Sequence, residues 1–140
     1  MGRFVNPDNT TFKAALNTKI YVDKTELIEF TNSLIGTTEN FICNSRPRRF
    51  GKSYTANMLS AYYSKGCDSR ELFCGLAVEK SSAYLEYLNK FDVIHFDLQW
   101  FFSKEHIDET VDLITNTIVD ELKKIYEDVL SVDVRTIPDA

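Results

Sequence analysis

Cysteine, histidine, glycine and proline are all scarce in these 140 residues, and each scarcity closes off a class of protein. Three cysteines (Cys43, Cys67, Cys74) make an odd number with no CxxC pair, and only two histidines, His95 and His106, accompany them. A disulfide framework and a structural zinc site both ask for more than this, so a reducing, cytoplasmic compartment is the expectation. Five glycines and three prolines exclude collagen-like sequence. No apolar run approaches the roughly 20 residues that a membrane-spanning helix requires, so no membrane partner is expected. The opening MGRFVNPDNT has no apolar stretch behind a basic start, unlike a secretory signal. Asn6 stands where a myristoylation site wants Ser or Thr.

What is present is enough for a core. The chain is 44% hydrophobic, and its ten Phe and seven Tyr exclude intrinsic disorder. At this length residues 1–140 read as a single domain. The net charge of −5 hides two opposite halves. Residues 1–70 carry ten Lys/Arg against six Asp/Glu, whereas residues 71–140 carry six against fifteen. A chain that is acidic overall is not expected to grip DNA or RNA directly by charge. Within the basic half, Arg46, Arg48, Arg49 and Lys52 crowd into seven positions. Such a knot suits an anion, or else a solvated loop facing the acidic half.

The pattern along the chain predicts alternating strands and helices. Residues 1–18 read as an irregular lead-in and Ile20–Val22 as a short strand. Asp23, with Glu26 three residues on, carries a capping-box signature for a helix running to about Ile35. Asn40 to Ser45 (NFICNS) reads as a short apolar strand that places Cys43 in the interior, and Lys52 to Tyr63 as a helix. A brief turn at ELF and a possible short strand fall between Cys67 and Val78. Ser82 to Asn89 reads as a helix with Leu85 and Leu88 facing in. Phe91 to Trp100 is the strongest strand, its end (Trp100-Phe101-Phe102) assigned to the core. Lys104 to about Leu130 reads as a long helix, with Ile107, Val111, Ile114, Ile118, Leu122, Ile125 and Val129 along one face. The expected fold class is therefore α/β: a small parallel sheet flanked by helices in a three-layer sandwich, with Asn40–Ser45 and Asp92–Leu98 as neighbouring or near-neighbouring strands. An edge left open on such a sheet would invite a protein partner or a second copy.

Chemistry concentrates in SRPRRFGKS, Ser45 to Ser53. Gly51-Lys52-Ser53 opens a predicted helix directly after a predicted strand. Backbone N–H groups at a helix start lack intrahelical partners and attract phosphate oxygens, aided by the helix dipole. Lys52 would reach the terminal phosphates, the Ser53 hydroxyl would enter the coordination of Mg²⁺, and Gly51 would let the backbone approach a phosphate closely. In the pattern G-x-x-x-x-G-K-[ST] the first glycine falls on Arg46. Pro47 holds Arg46 extended and removes a donor, which the guanidinium groups of Arg48 and Arg49 would partly replace.

This string, together with YVDKTELIEF (Tyr21 to Phe30), ELFCGLAVEK (Glu71 to Lys80) and DVIHFDLQ (Asp92 to Gln99), resembles the predicted AAA-ATPase-like family of bacteria and archaea. The resemblance covers roughly residues 20–100. It implies an incomplete P-loop nucleotidase of AAA-ATPase-like type, with a variant Walker A loop, that binds ATP with Mg²⁺. By the same resemblance, Gly51, Lys52 and Ser53, with Arg48 and Arg49, are nucleotide-site residues. Hydrolysis in such folds needs a carboxylate after a second buried strand and commonly a neighbouring Glu. Asp97, at the end of Val93–Phe96, is a candidate ligand to Mg²⁺, but Leu98 and Gln99 follow it rather than Glu. In the family that acidic strand comes after the long helix, so the domain reads as truncated before it. The function expected is nucleotide binding without hydrolysis by this chain alone, with ATPase activity depending on completion by further sequence or a partner. The alternative is a non-enzymatic acidic interaction protein on a degenerate scaffold of this type, such as an inhibitor of a nucleic-acid-processing partner. Its surface would be the acidic face Glu105, Asp108, Glu109, Asp112, Asp120 and Glu121, which otherwise reads as solvated.

Overall fold

Aromatic and aliphatic residues at helical spacing build the body of the chain. The structure, a computed structural model, describes residues 2–101 and 107–126, for 107–109 the backbone alone. Among these residues six α-helices follow in order: α1 (Thr10–Leu16), α2 (Glu26–Leu34), α3 (Lys52–Tyr63), α4 (Arg70–Phe73), α5 (Tyr84–Tyr87) and α6 (Ile107–Ile125). Two short 3₁₀ helices, Ala77–Lys80 and Leu98–Trp100, stand between them. Helix α1 was read from sequence as irregular. It has one buried edge, Phe12 and Ala15, laid against α3. A seven-residue helix of this kind depends on such docking, since isolated helices this short are marginal in water.

Helix α3 is the spine. Its buried residues Thr55, Met58, Ala61 and Tyr62 recur at three- and four-residue steps, so one face meets the core while Lys52, Ser53 and Tyr54 remain outside. The core gathers Phe12, Ile28, Met58, Ala61, Tyr62, Phe73, Val78, Tyr84 and Leu88. Tyr62 is its centre, with ring contacts to Tyr63, Phe73 and Tyr84. Its hydroxyl donates to the Tyr84 carbonyl (2.7 Å) and accepts from the Asn32 amide (3.1 Å). The neighbouring Tyr63 hydroxyl donates to Asn32 Oδ1 (2.7 Å) and lies 2.6 Å from Thr31 Oγ1. Burial pushes the Tyr63 phenol up to about 12. Buried polar atoms paired in this way rigidify the α2–α3 contact at no cost in unmet hydrogen bonds.

Asn89 closes the far end of α3. Its amide nitrogen donates to the carbonyls of Ala61 (3.1 Å) and Ser64 (2.6 Å), and its backbone N–H donates to that of Tyr62 (2.7 Å). Its side-chain oxygen accepts from the Ser69 N–H (2.9 Å). The backbone there is left-handed, φ 56°, a conformation Asn tolerates better than most residues. Carbonyls that a helix end leaves without partners are thus satisfied from elsewhere in the chain.

The expected parallel sheet is absent. Among the described residues there is no β-strand, only two isolated bridges, Val5 with Ile94 (antiparallel) and Ser64 with Phe91 (parallel). Asn40 to Ser45 forms no regular element and lies exposed, with Phe41 95% accessible and Cys43 outside rather than buried. No backbone hydrogen bond joins 40–46 to another described segment. The 91–97 segment pairs instead with the N-terminus: Asn6 N–H donates to Val93 O (2.7 Å) and His95 N–H to Phe4 O (2.8 Å). Ile20–Val22 is not a strand either, and Ala77–Lys80 is a 3₁₀ turn. The physical reason is shared: an extended segment becomes a strand only when a neighbour takes up its backbone groups, and among the described residues no backbone hydrogen bond joins these segments to one another.

Other expectations also shift. Asp23 does not form a capping box; one carboxylate oxygen accepts from Thr25 N–H (2.8 Å) and Thr25 Oγ1 (2.7 Å), the other from Ala77 N–H (2.8 Å). Burial raises its pKa, but those three hydrogen bonds outweigh it and hold the carboxyl below the usual range. Leu88 is buried as expected while Leu85 is exposed. Phe101 is buried, and Trp100 lies largely outside it beneath the Arg3 guanidinium, 3.7 Å from the ring centre. On α6 the expected stripe is only half-buried at Ile114, Ile118, Leu122 and Ile125, with Val111 exposed and Val119 buried. Glu121 is not a solvated charge: its carboxylate accepts from the N–H groups of Arg3 (3.0 Å), Phe4 (2.8 Å) and Val5 (2.9 Å). Phe102, Lys104, Glu105, His106, Val129 and the side chains of Ile107, Asp108 and Glu109 lie outside the described residues.

Candidate functional site: the 46–53 loop

Pro47 begins a turn, as its fixed φ favours, and Phe50 N–H closes it on the Pro47 carbonyl (3.4 Å). Arg49 (φ 70°) and Gly51 (φ 77°) both take left-handed backbone. At Arg49 this costs about 1–2 kcal/mol, a strain of the kind functional loops hold. Gly51 carries the second reversal and is the N-cap of the twelve-residue α3. A Cβ added there would lie 3.0 Å from Lys24 Nζ, on a backbone that already disfavours it.

Beyond Gly51 the helix starts with open donors. Thr55 is the first α3 residue whose N–H is returned to the chain, to Gly51 O (2.9 Å), and its hydroxyl backs the same carbonyl (3.1 Å). The N–H groups of Lys52, Ser53 and Tyr54 therefore have no intrahelical partner. Lys52 arcs back over the loop, its ammonium donating to the carbonyls of Arg46 (2.5 Å) and Pro47 (3.1 Å). Those two carbonyls hold the cation on the loop. Ser53 and Arg48 are exposed beside it. The structure thus gathers Arg48, Arg49, Gly51, Lys52 and Ser53 on one turn and helix start.

Asp97 stands apart from them. Its carboxylate accepts from Gln99 N–H (2.9 Å) and caps the Leu98–Trp100 turn. It lines a polar cleft of about 340 Å³ with His95, Asn57 and Ser60, whereas Arg49 and Gly51 border a different one. Burial pushes the His95 imidazole pKa down, against a smaller upward pull from Asp97. The Ser60 hydroxyl is buried without a hydrogen-bond partner among the described residues.

One contact at the loop was not anticipated. Lys24 donates to the Phe50 carbonyl (3.2 Å) and ties the 20–24 segment to the turn. Its only signal in sequence is a position beside Asp23 in the VDKTEL stretch, and nothing in the spacing directs it toward a loop 26 residues away.

A left-handed glycine followed by a lysine thus opens the twelve-residue α3. The chain matches, over residues 11–137, the family described as predicted AAA-ATPase, and it belongs to that AAA-ATPase-like family. Membership supports nucleotide binding in general. No curated protein and no solved structure matches the chain. No described helix is long and apolar enough to cross a membrane.

Proposed function

We propose that the chain binds a nucleoside triphosphate, ATP in keeping with its family, through the 46–53 loop. The observation that carries this reading is the pairing of open N–H groups at the start of α3 with the Lys52 ammonium held over the same loop. Phosphate oxygens would take the N–H groups of Lys52, Ser53 and Tyr54 and draw Lys52 off its carbonyls. Arg48 and Arg49 would supply further charge where the pattern's first glycine is replaced. The exposed Ser53 hydroxyl suits a Mg²⁺ ion carried in by the phosphates, whose chemistry is to neutralise their charge. Asp97 lines a different cleft from Arg49 and Gly51 and is given no part in holding that ion. Among the described residues the cleft beside the loop is lined by no carboxylate, and nucleotide binding is the activity proposed for this chain alone. The acidic-surface alternative is weakened by Glu121, whose charge is spent on the N-terminal amides.

The test is thermal unfolding and equilibrium binding with Mg·ATP. At a hundredfold excess over Kd, ligand adds about 2.7 kcal/mol and raises Tm by several degrees. Lys52→Ala is expected to weaken binding by roughly 1.5–3 kcal/mol, the scale of a hydrogen bond to a charged group, with little change in stability since the side chain is exposed. Unchanged affinity in Lys52→Ala would overturn the reading.

A further inference from the structure

Beside the loop lies a cleft of about 460 Å³, between α1, the 18–24 segment and the first turns of α3, within the range of small-molecule sites. Its floor is buried and apolar, with Phe12 and Met58 each 2% exposed. One wall is Tyr21, edge-on to Phe12 with ring centres 6.4 Å apart. Tyr54, one turn into α3, stands at the mouth on the loop side, half-exposed. Ile20 lines the same cleft and is 85% accessible. Two of the lining residues, Arg49 and Gly51, also belong to the phosphate-binding turn, and the Lys24–Phe50 bond keeps the two halves of the cleft together.

We infer that this cleft is the seat of the nucleoside part of the ligand, the base lying between Tyr54 and the Ile20–Tyr21 segment. The inference rests on the phosphate reading of the loop and extends it to a part of the ligand that the loop cannot recognise. A triphosphate alone would need nothing beyond Arg48 to Ser53. A nucleotide brings a flat, largely apolar ring as well, and the wall bordering the turn is aromatic and aliphatic. Bases stack on aromatic side chains with little regard to sequence. The exposure of Ile20 and Tyr54 also gives a base something to gain, because a ring seated there removes their apolar surface from water.

The experiment compares ATP with inorganic tripolyphosphate, both with Mg²⁺, by calorimetric titration. The wild type is expected to bind ATP at least about tenfold more tightly than tripolyphosphate, the scale of one stacked base. Ile20→Ser is expected to weaken ATP several-fold and leave tripolyphosphate unchanged, and Tyr54→Ala, which keeps its backbone N–H, to weaken ATP several-fold more than tripolyphosphate. Both side chains project outward, so folding should survive, and thermal unfolding of each variant checks that it does. Equal wild-type affinity for the two ligands, or variants that weaken both equally, would overturn the base site while sparing the loop. If the wild type binds neither ligand, the loop reading fails first and the base site falls with it. Photolabelling by 8-azido-ATP gives an independent reading: adducts in 18–24 or 54–58 support the inference, and adducts confined to the Asp97 cleft overturn it.

Discussion

Met58 to Tyr63 on α3 and Phe41 to Cys43 ahead of the loop are comparably apolar, yet they end in opposite surroundings. Met58, Ala61 and Tyr62 are sealed in the core, while Phe41, Ile42 and Cys43 all lie exposed. The difference lies in the backbone. A helix closes its hydrogen bonds within its own sequence, so α3 needs neighbours only for its side chains. An extended segment must take hydrogen bonds from another segment before its side chains can be buried profitably. Among the described residues the 40–46 segment takes no backbone–backbone hydrogen bond, and the 91–97 segment takes a few: Phe91 with Tyr63 and Lys65, Val93 with Asn6, and His95 with Phe4. Local chemistry thus decides the helices, and long-range partners decide the strands.

The sharpest test of that contrast is a pair of truncations. Tyr62→Ala removes a fully buried ring and two hydrogen bonds and is expected to cost about 3–5 kcal/mol. Phe41→Ala, of similar size and chemistry, should stay within about 0.5 kcal/mol. Urea unfolding of both variants checks the pair. A large loss from Phe41→Ala would mean that the extended segment is packed after all.

A smaller effect is expected where the extended part joins the helical part. Glu121→Gln replaces a carboxylate that holds three N–H groups by a neutral amide with one acceptor oxygen. The expected loss is about 1–3 kcal/mol, seen as faster amide exchange at Arg3, Phe4 and Val5 with little change at Tyr62. Equal acceleration at both places would show that the N-terminal contact and the core open as one unit.

The smallest effect belongs to Asp92 and is one of pH. Hydrogen bonds from Asn6 (2.7 Å), Lys65 (2.7 Å) and Tyr126 lower its pKa to about 2. A depressed carboxylate contributes fully above its unfolded value and loses that contribution as pH falls toward the folded one. Stability attributable to Asp92 should therefore fade from near pH 4 down to about 2. The side chain is 55% exposed, so solvent screens the pair and the change stays small. Asp92→Asn should flatten the acid limb slightly in a pH series of unfolding curves, and an identical limb would remove Asp92 from the account.

Where the signal was local, the sequence was legible. Gly51 and the loop announced α3, whose bounds Lys52–Tyr63 are those expected. The turn at Pro47 and the helix at 26–34 also lie where punctuation and periodicity put them, the helix expected over Ser82–Asn89 is shorter, at 84–87, and the brief turn expected at ELF is a four-residue helix, 70–73. Helix α1 escaped because Asn, Thr and Pro dominate its approach. Its quiet signals were Asp8, which accepts from Thr10 N–H (3.0 Å) and hydroxyl (2.6 Å), and the Phe12–Ala15 spacing. The sheet failed because alternation and apolarity say nothing of which segments meet. In the site, the five loop residues were readable as a string, whereas Lys24, Tyr21 and Ile20 reach the loop only through the fold.

The Glu121 clasp has a kinetic side. It joins residues 116 to 118 apart in sequence, and closing a flexible loop that long costs roughly 4 kcal/mol in chain entropy. Three hydrogen bonds to a carboxylate, each about 1.5–3 kcal/mol, gain clearly over that only once the intervening helices have shortened the distance. The clasp should therefore be absent from the folding transition state and present in the native one. Contacts of that sort leave the folding rate alone and slow unfolding. Glu121 governs how long the fold lasts once made, and has little say in how quickly it is reached.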